Sequence, residues 1–191
     1  MIRSRKAAGL AVLGLVLGAA ASWADSYRVD ADHFAVYFKI NHLGFSHTYG
    51  RFNGVTGSFT LDAATPANSK LELTIDANSI DTGNARRDAH LKGPDFFDAK
   101  QFEKITFKST AMRKTGDKVW EVVGDLAMHG VTKSITVTVN QGKEGAGMQG
   151  EIRTGGDLEL TVKRSDFGIN YGAGAIGDDV KLMISIEGIK Q

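Results

Sequence analysis

Between Phe34 and Ile40 every second residue is large and apolar: Phe34, Val36, Phe38 and Ile40 are separated by Ala35, Tyr37 and Lys39, with Asn41 following. A period of two fits an extended strand with one buried face, because a helix would scatter the same positions around its circumference. The signature returns down the chain. Leu71, Leu73 and Ile75 alternate with Glu72, Thr74 and Asp76, and Ile135, Val137 and Val139 with Thr136, Thr138 and Asn140. Leu158, Leu160 and Val162 alternate with Glu159, Thr161 and Lys163, and Val180, Leu182, Ile184 and Ile186 share one face of a last strand.

Other segments complete the count. Tyr27–Asp30 reads as a short first strand before an Ala31-Asp32 turn. After a polar, Gly-containing turn over Leu43–Gly50, Arg51-Phe52 and Gly57–Leu61 form a return strand. Ile105–Ser109 starts another, and Val119–Met128 and Val131–Asn140 flank His129-Gly130 as a hairpin. About eight strands joined by hairpin-like turns make an all-β antiparallel fold, a closed barrel or a two-sheet sandwich. Both give the same parity.

The pattern is interrupted once. Asn84 is placed to cap a helix over Ala85–Lys92, and Gly93-Pro94 predicts a second, with Pro at its first position. Phe96, Phe97 and Phe102 give this insert apolar contacts to lay against the sheet or over one end of it. Gln141–Gly150 reads as a mobile loop. Gly145–Gly150 and Gly172–Gly177 both match G-x-G-x-x-G, but each runs into strand-like sequence instead of opening a helix, so they are loop glycines.

The length of 191 residues suits one domain. Residues 1–24 read as a secretory signal peptide: Arg3, Arg5 and Lys6, an apolar run from Ala7 to Ala21, then Ser22-Trp23-Ala24 with small residues at the cleavage positions. Cleavage there removes three basic and no acidic residues, taking the formal charge from +1 down by three to −2. That balance gives no footing for nucleic acid. No later segment approaches the ~20 apolar residues of a membrane span. The chain has no cysteine, which excludes disulfides, lipid attachment at cysteine and thiolate metal sites.

Catalytic signatures are missing too: no Walker loop, no G-x-S-x-G and no H-E-x-x-H. The five histidines lack zinc-site spacing; His42 and His47 flank one turn, but two imidazoles are half a site, and neither metal nor cofactor is predicted. His42 keeps the parity of Phe34–Ile40 and points inward at the end of its strand. Arg86, Arg87, His90 and Lys92 make the insert basic, either a solvated face partnered by Asp81 and Asp88 or a receptor for an anionic head group. Arg164 and Asp166 read as a structural ion pair.

Taken in order, several segments resemble one family. They are Tyr27–Asp30 with His33, Phe38–Gly44, Gly57–Phe59, Ser79–Asn84 running into Arg87–Leu91, Ile105–Thr110, Gly124–Leu126 with His129–Lys133, Arg164–Gly168 and Ile186–Gly188. Together they resemble the YceI-like periplasmic proteins across residues 25–191. The G-x-W of lipocalins proper is missing, so the likeness to those is architectural. The resemblance implies an eight-stranded antiparallel lipocalin-like β-barrel with a short helical insert. It also implies a periplasmic carrier, not an enzyme, that holds a polyisoprenoid or similar amphiphile, such as an isoprenoid quinone tail. Parity then nominates Phe34, Phe38, His42, Phe52, Phe59, Leu73, Ile75, Phe107, Ile135, Val137, Leu182 and Ile184 as the residues meeting the ligand. Two alternatives stand beside it: a packed barrel acting as a protein-interaction or stress-response module, and an isoprenoid-modifying enzyme using His42.

Overall fold

A computed structural model describes residues 24–191, so the signal peptide expected over residues 1–24 lies, except for Ala24, outside the described residues. In chain order the elements are β1 (Asp25–His42), β2 (Ser46–Phe52), β3 (Val55–Leu61), β4 (Lys70–Asp76), β5 (Ile80–Asp81), α1 (Ala85–Leu91) and β6 (Lys104–Gly116). They continue as β7 (Val119–Met128), β8 (Val131–Gln141), β9 (Gly145–Ala146), β10 (Ile152–Lys163) and β11 (Ile176–Lys190). β1 pairs with β3 near its start and with β2 near its end, so β2 and β3 are one strand broken at Asn53-Gly54. β4 and β5 are broken beside it, over Ala77–Ser79. Counting each broken strand once, eight antiparallel strands follow one another and β11 pairs back onto β1. The barrel is closed, which removes the sandwich alternative. No helix among the described residues is long and apolar enough to cross a membrane.

Several local expectations change. β1 does not turn at Ala31-Asp32; it runs on, and a register shift between Val29 and Phe34 takes up the extra residues as a bulge. The second helix does not form. A helical ladder would carry Phe97 N–H back to Gly93, but it donates to Leu91 O at 3.0 Å, while Gly93 O accepts from Phe96 and Asp98, the latter left-handed at φ 41°. The result is a run of turns that buries Phe96 and Ala99. The glycine-rich stretch after β8 is partly built into the sheet, since β9 pairs with Ile152 and Arg153. At His129-Gly130 both residues have positive φ (51° and 76°), the turn that matches strand twist in a two-residue hairpin.

The barrel has a closed end and an open one. At the closed end Tyr27 stacks on Phe59 with centroids 4.9 Å apart, and Met112, Trp120 and Val122 form a buried cluster. Trp120 Nε1 donates to Gln141 Oε1 at 2.8 Å, so the indole N–H is satisfied inside. One seam is short: β8 and β10 share only the pairs Gly156–Gln141 and Asp157–Asn140, whereas β10 pairs with β11 from Arg153 to Lys163.

The β1 bulge is fastened from far along the chain. The buried Asp30 carboxylate accepts from Arg153 Nη1 (2.5 Å) and Asp32 N (3.1 Å) and lies 2.8 Å from His33 Nδ1, while Arg153 also donates to Glu151 and Glu187. The hydrogen bond from Arg153, then those from Asp32 and His33, hold Asp30 well below the usual carboxylate range. A carboxylate depressed in the fold stabilises it fully above its unfolded value, 3.8, and that contribution drains away as pH falls below about 4. Asp30→Asn is therefore expected to lower the melting temperature by several degrees at pH 7 and by only modestly less at pH 3, where the unfolded carboxyl is already protonated but the folded one is still ionised. Paired melting curves at the two pH values check it.

Candidate functional site

The phenylalanines could have filled this barrel solid. They do not, because inward rings lie flat on the wall opposite glycines of neighbouring strands. A Cβ on Gly124 would stand 2.5 Å from Phe107 Cζ, one on Gly188 2.5 Å from Phe59 Cε1, and one on Gly50 would strike the Phe38 ring. Rings laid over bare backbone leave the axis free. The space that remains is a cavity of about 320 Å³ that runs in from the open end, within the size range of small-molecule sites. Its walls are hydrocarbon from every barrel strand. The cavity counts against a solidly packed interior.

Of the residues nominated by parity, Phe38, His42, Phe52, Leu73, Ile75, Phe107, Ile135, Val137, Leu182 and Ile184 line the cavity. Phe34 and Phe59 do not. Phe34 follows the bulge and packs against the upper core cluster, and Phe59 is stacked on Tyr27 in the closed end. Parity alone reaches further wall residues, Val36, Ile40, Leu158, Leu160, Val162 and Val180, since each continues an alternating run. Ile169, Tyr171 and Ile176 also line it, but they come from or border the second glycine loop, which has no period to betray them.

The mouth is built by α1, the turns after it and the loop between β10 and β11. Asn84 caps α1 by accepting from Arg87 N at 3.0 Å. Phe97 meets Phe52 edge-on at 5.7 Å, which seats the insert on the barrel. Phe96, His90 and Tyr171 form a mutually packed aromatic corner, with centroids 5.0–5.2 Å apart. Arg87 and His90 line the cavity here.

Neither the His42–His47 pair considered as half a metal site nor the expected Arg164–Asp166 ion pair forms. Register places His47 opposite Asn41 and Ser46 opposite His42, so the two imidazoles leave the hairpin on opposite faces and cannot share a metal. Among the described residues no cluster of three metal-ligating side chains occurs. Arg164 does not pair with Asp166. It is 6 % exposed, and its guanidinium donates to the carbonyls of Gly177 (2.8 Å), Ile169 (3.0 Å), Tyr171 (2.7 Å) and Ile176 (3.1 Å), a set that carbonyl geometry favours over a carboxylate two residues away.

A closed antiparallel barrel with a helical strap over an apolar mouth has relatives. The YceI-like domain model matches residues 27–188, nearly all of the described chain. The chain belongs to the YceI-like family. The protein YceI of Escherichia coli O157:H7 is 37 % identical over 185 residues, covering 96 % of each chain. Among solved structures, BcnA of Burkholderia cenocepacia superimposes with a TM-score of 0.73 at 27 % identity, over 83 % of this chain and 98 % of that one. A polyisoprenoid binding domain from Saccharophagus degradans shares the fold at TM-score 0.69 and 17 % identity, over 86 % of this chain and 98 % of that one. The YceI-like barrel here thus keeps the family's architecture, with one short helix.

Proposed function

We propose that this YceI-like protein binds the long apolar tail of a polyisoprenoid or similar amphiphile inside the barrel and carries it through the periplasm. The observation that carries the reading is the cavity, open at one end, walled by hydrocarbon and free of any Asp or Glu. The polyisoprenoid binding of the Saccharophagus degradans domain on the same fold supports the ligand class. Burying apolar carbon yields about 0.8 kcal/mol per CH₂, so each five-carbon isoprene unit contributes roughly 4 kcal/mol gross. Association costs about 4–15 kcal/mol, so a tail of a few units binds without any polar contact or chemistry. A quinone tail meets the same requirement. His42 at the mouth has no carboxylate among the residues that share the cavity wall with it, so binding suits the site better than catalysis.

The experiment is extraction. Mature protein purified from the native host under detergent-free conditions is expected to release, into organic solvent, a stoichiometric long-chain amphiphile visible by mass spectrometry. Empty protein that also fails to take up an apolar fluorescent probe overturns the reading.

A further inference from the structure

The wall of the barrel has a slit. Near the closed end β8 and β10 are joined by the pairs Gly156–Gln141 and Asp157–Asn140, and Gly142 N–H donates to the Gly155 carbonyl at 2.9 Å. Towards the mouth the ladder stops. β8 stays paired with β7 as far as Val131, and β10 with β11 as far as Lys163, yet Ser134–Val139 and Leu158–Lys163 do not pair with each other. Backbone groups of an antiparallel strand point alternately to its two neighbours, so about half of those on each lip face the slit without a ladder partner. One bond closes it at the top: His129 Nδ1, in the turn into β8, donates to the carbonyl of Phe167, just beyond β10, at 3.0 Å.

The lips turn hydrocarbon inward and polar groups outward. Ile135 and Val137 on one side and Leu158, Leu160 and Val162 on the other line the cavity, whereas Thr136, Thr138, Glu159 and Thr161 are exposed. An apolar chain that slips between the strands therefore meets the cavity wall at once. Charged residues such as Glu159 and Lys163 on the outer side guard the same edges against an added strand. The mouth is a harder route. His90, Phe96 and Tyr171 pack together there, and Arg164 braces the loop that carries Tyr171, so a long chain would have to thread past them end first. Parting β7 from β8 would break a ladder running from Val119 to Met128, but parting the lips above Asp157 breaks only the His129 bond.

We infer that the slit between β8 and β10 is a side entrance, through which the apolar tail enters and leaves along its length, and that the hydrogen bond from His129 to Phe167 is its catch. This rests on the proposal that the barrel holds an apolar tail, and it adds the route by which the tail arrives. The catch is a single side-chain bond, so it releases while the hairpin of β7 and β8 stays paired up to Met128 and Val131. The ladder at Asn140-Gln141 then serves as the hinge.

The chain has no cysteine, so a pair introduced across the slit forms the only bridge. Continuing the register beyond Asp157–Asn140 sets Thr161 opposite Thr136 on the outer face, and Thr136→Cys with Thr161→Cys, joined by oxidation or by a short bis-methanethiosulfonate linker, pins the lips together. Asp125→Cys with Ser134→Cys, opposed across the paired seam of β7 and β8, is the control. Uptake and release of dansyl-labelled geranylgeraniol, followed by stopped flow on the mature protein, are both expected to slow about tenfold or more when the slit is bridged, with Kd changed by less than about twofold. Bridging the control pair is expected to leave both rates unchanged. His129→Gly keeps the left-handed turn but lacks the catch, and is expected to speed both rates about threefold or more. Rates unchanged by the slit bridge or by His129→Gly overturn the inference while leaving the tail site intact, as do equal slowing by the control bridge and a slit bridge that alters affinity instead of rate. Failure of the probe to bind the unbridged protein overturns the tail-binding proposal itself, and this inference with it.

Discussion

Placing tryptophan at both Leu73 and Leu182 is expected to weaken tail binding by at least about a hundredfold without loss of folding. Both side chains line the cavity from well-separated strands, Leu73 on β4 and Leu182 on β11, and both are only half-buried because they face the free space. Overpacking costs about 1–3 kcal/mol where a core is already full, but here the added rings enter a void, so the melting temperature is expected to stay level or rise. Denying the ligand a single isoprene unit forgoes roughly 4 kcal/mol gross, and about 2.7 kcal/mol of that surviving is a hundredfold in affinity. The measurement pairs a melting curve with displacement of an apolar probe. Undiminished affinity in a folded variant would put the ligand outside the barrel. The more obvious change, Phe38→Glu, is a poor probe: Phe38 is 8 % exposed and packed on Phe52, so an unpaired carboxylate there threatens the fold before it reports on binding.

How the chain folds was legible wherever one face of a strand is buried. The runs Leu71–Ile75, Ile135–Val139 and Val180–Ile186 carry their side chains where alternation puts them, because register slips would turn the whole set to water. What escaped was set by distant partners. Ala31-Asp32 looks like a turn, yet Asp30 is held by Arg153, 123 residues away, and that bond turns the segment into a bulge in a continuous strand. The site divides the same way. That Phe38 and Phe107 point inward follows from their own neighbours; that they leave room does not, since it depends on Gly50 and Gly124 lying across the strand boundary. Parity names the wall, and register decides whether the wall encloses anything. The rim is further from reach, because Tyr171 and Ile169 reach it from loop sequence with no repeat.

Arg164→Met is expected to lower stability by about 3 kcal/mol, or roughly 10 °C in melting temperature for a chain of this size. The guanidinium closes the loop between β10 and β11 from within, donating to carbonyls at residues 169, 171, 176 and 177. Methionine matches its stem but has no donors. Each acceptor left dry costs about 1–3 kcal/mol, moderated here because the outer part of the loop can take up water. Lysine keeps the charge and has three donors on a single nitrogen, which cannot span four carbonyls arranged around a planar fork, so Arg164→Lys is expected to recover about half. Asp166 supplies the control. If the local ion pair mattered, Asp166→Asn would reproduce part of the loss; with Arg164 committed to backbone oxygens, it is expected to change stability by less than about 0.5 kcal/mol. Urea unfolding of the three variants decides between the two accounts, and a small effect for Arg164→Met would mean that the rim keeps its shape without its internal brace.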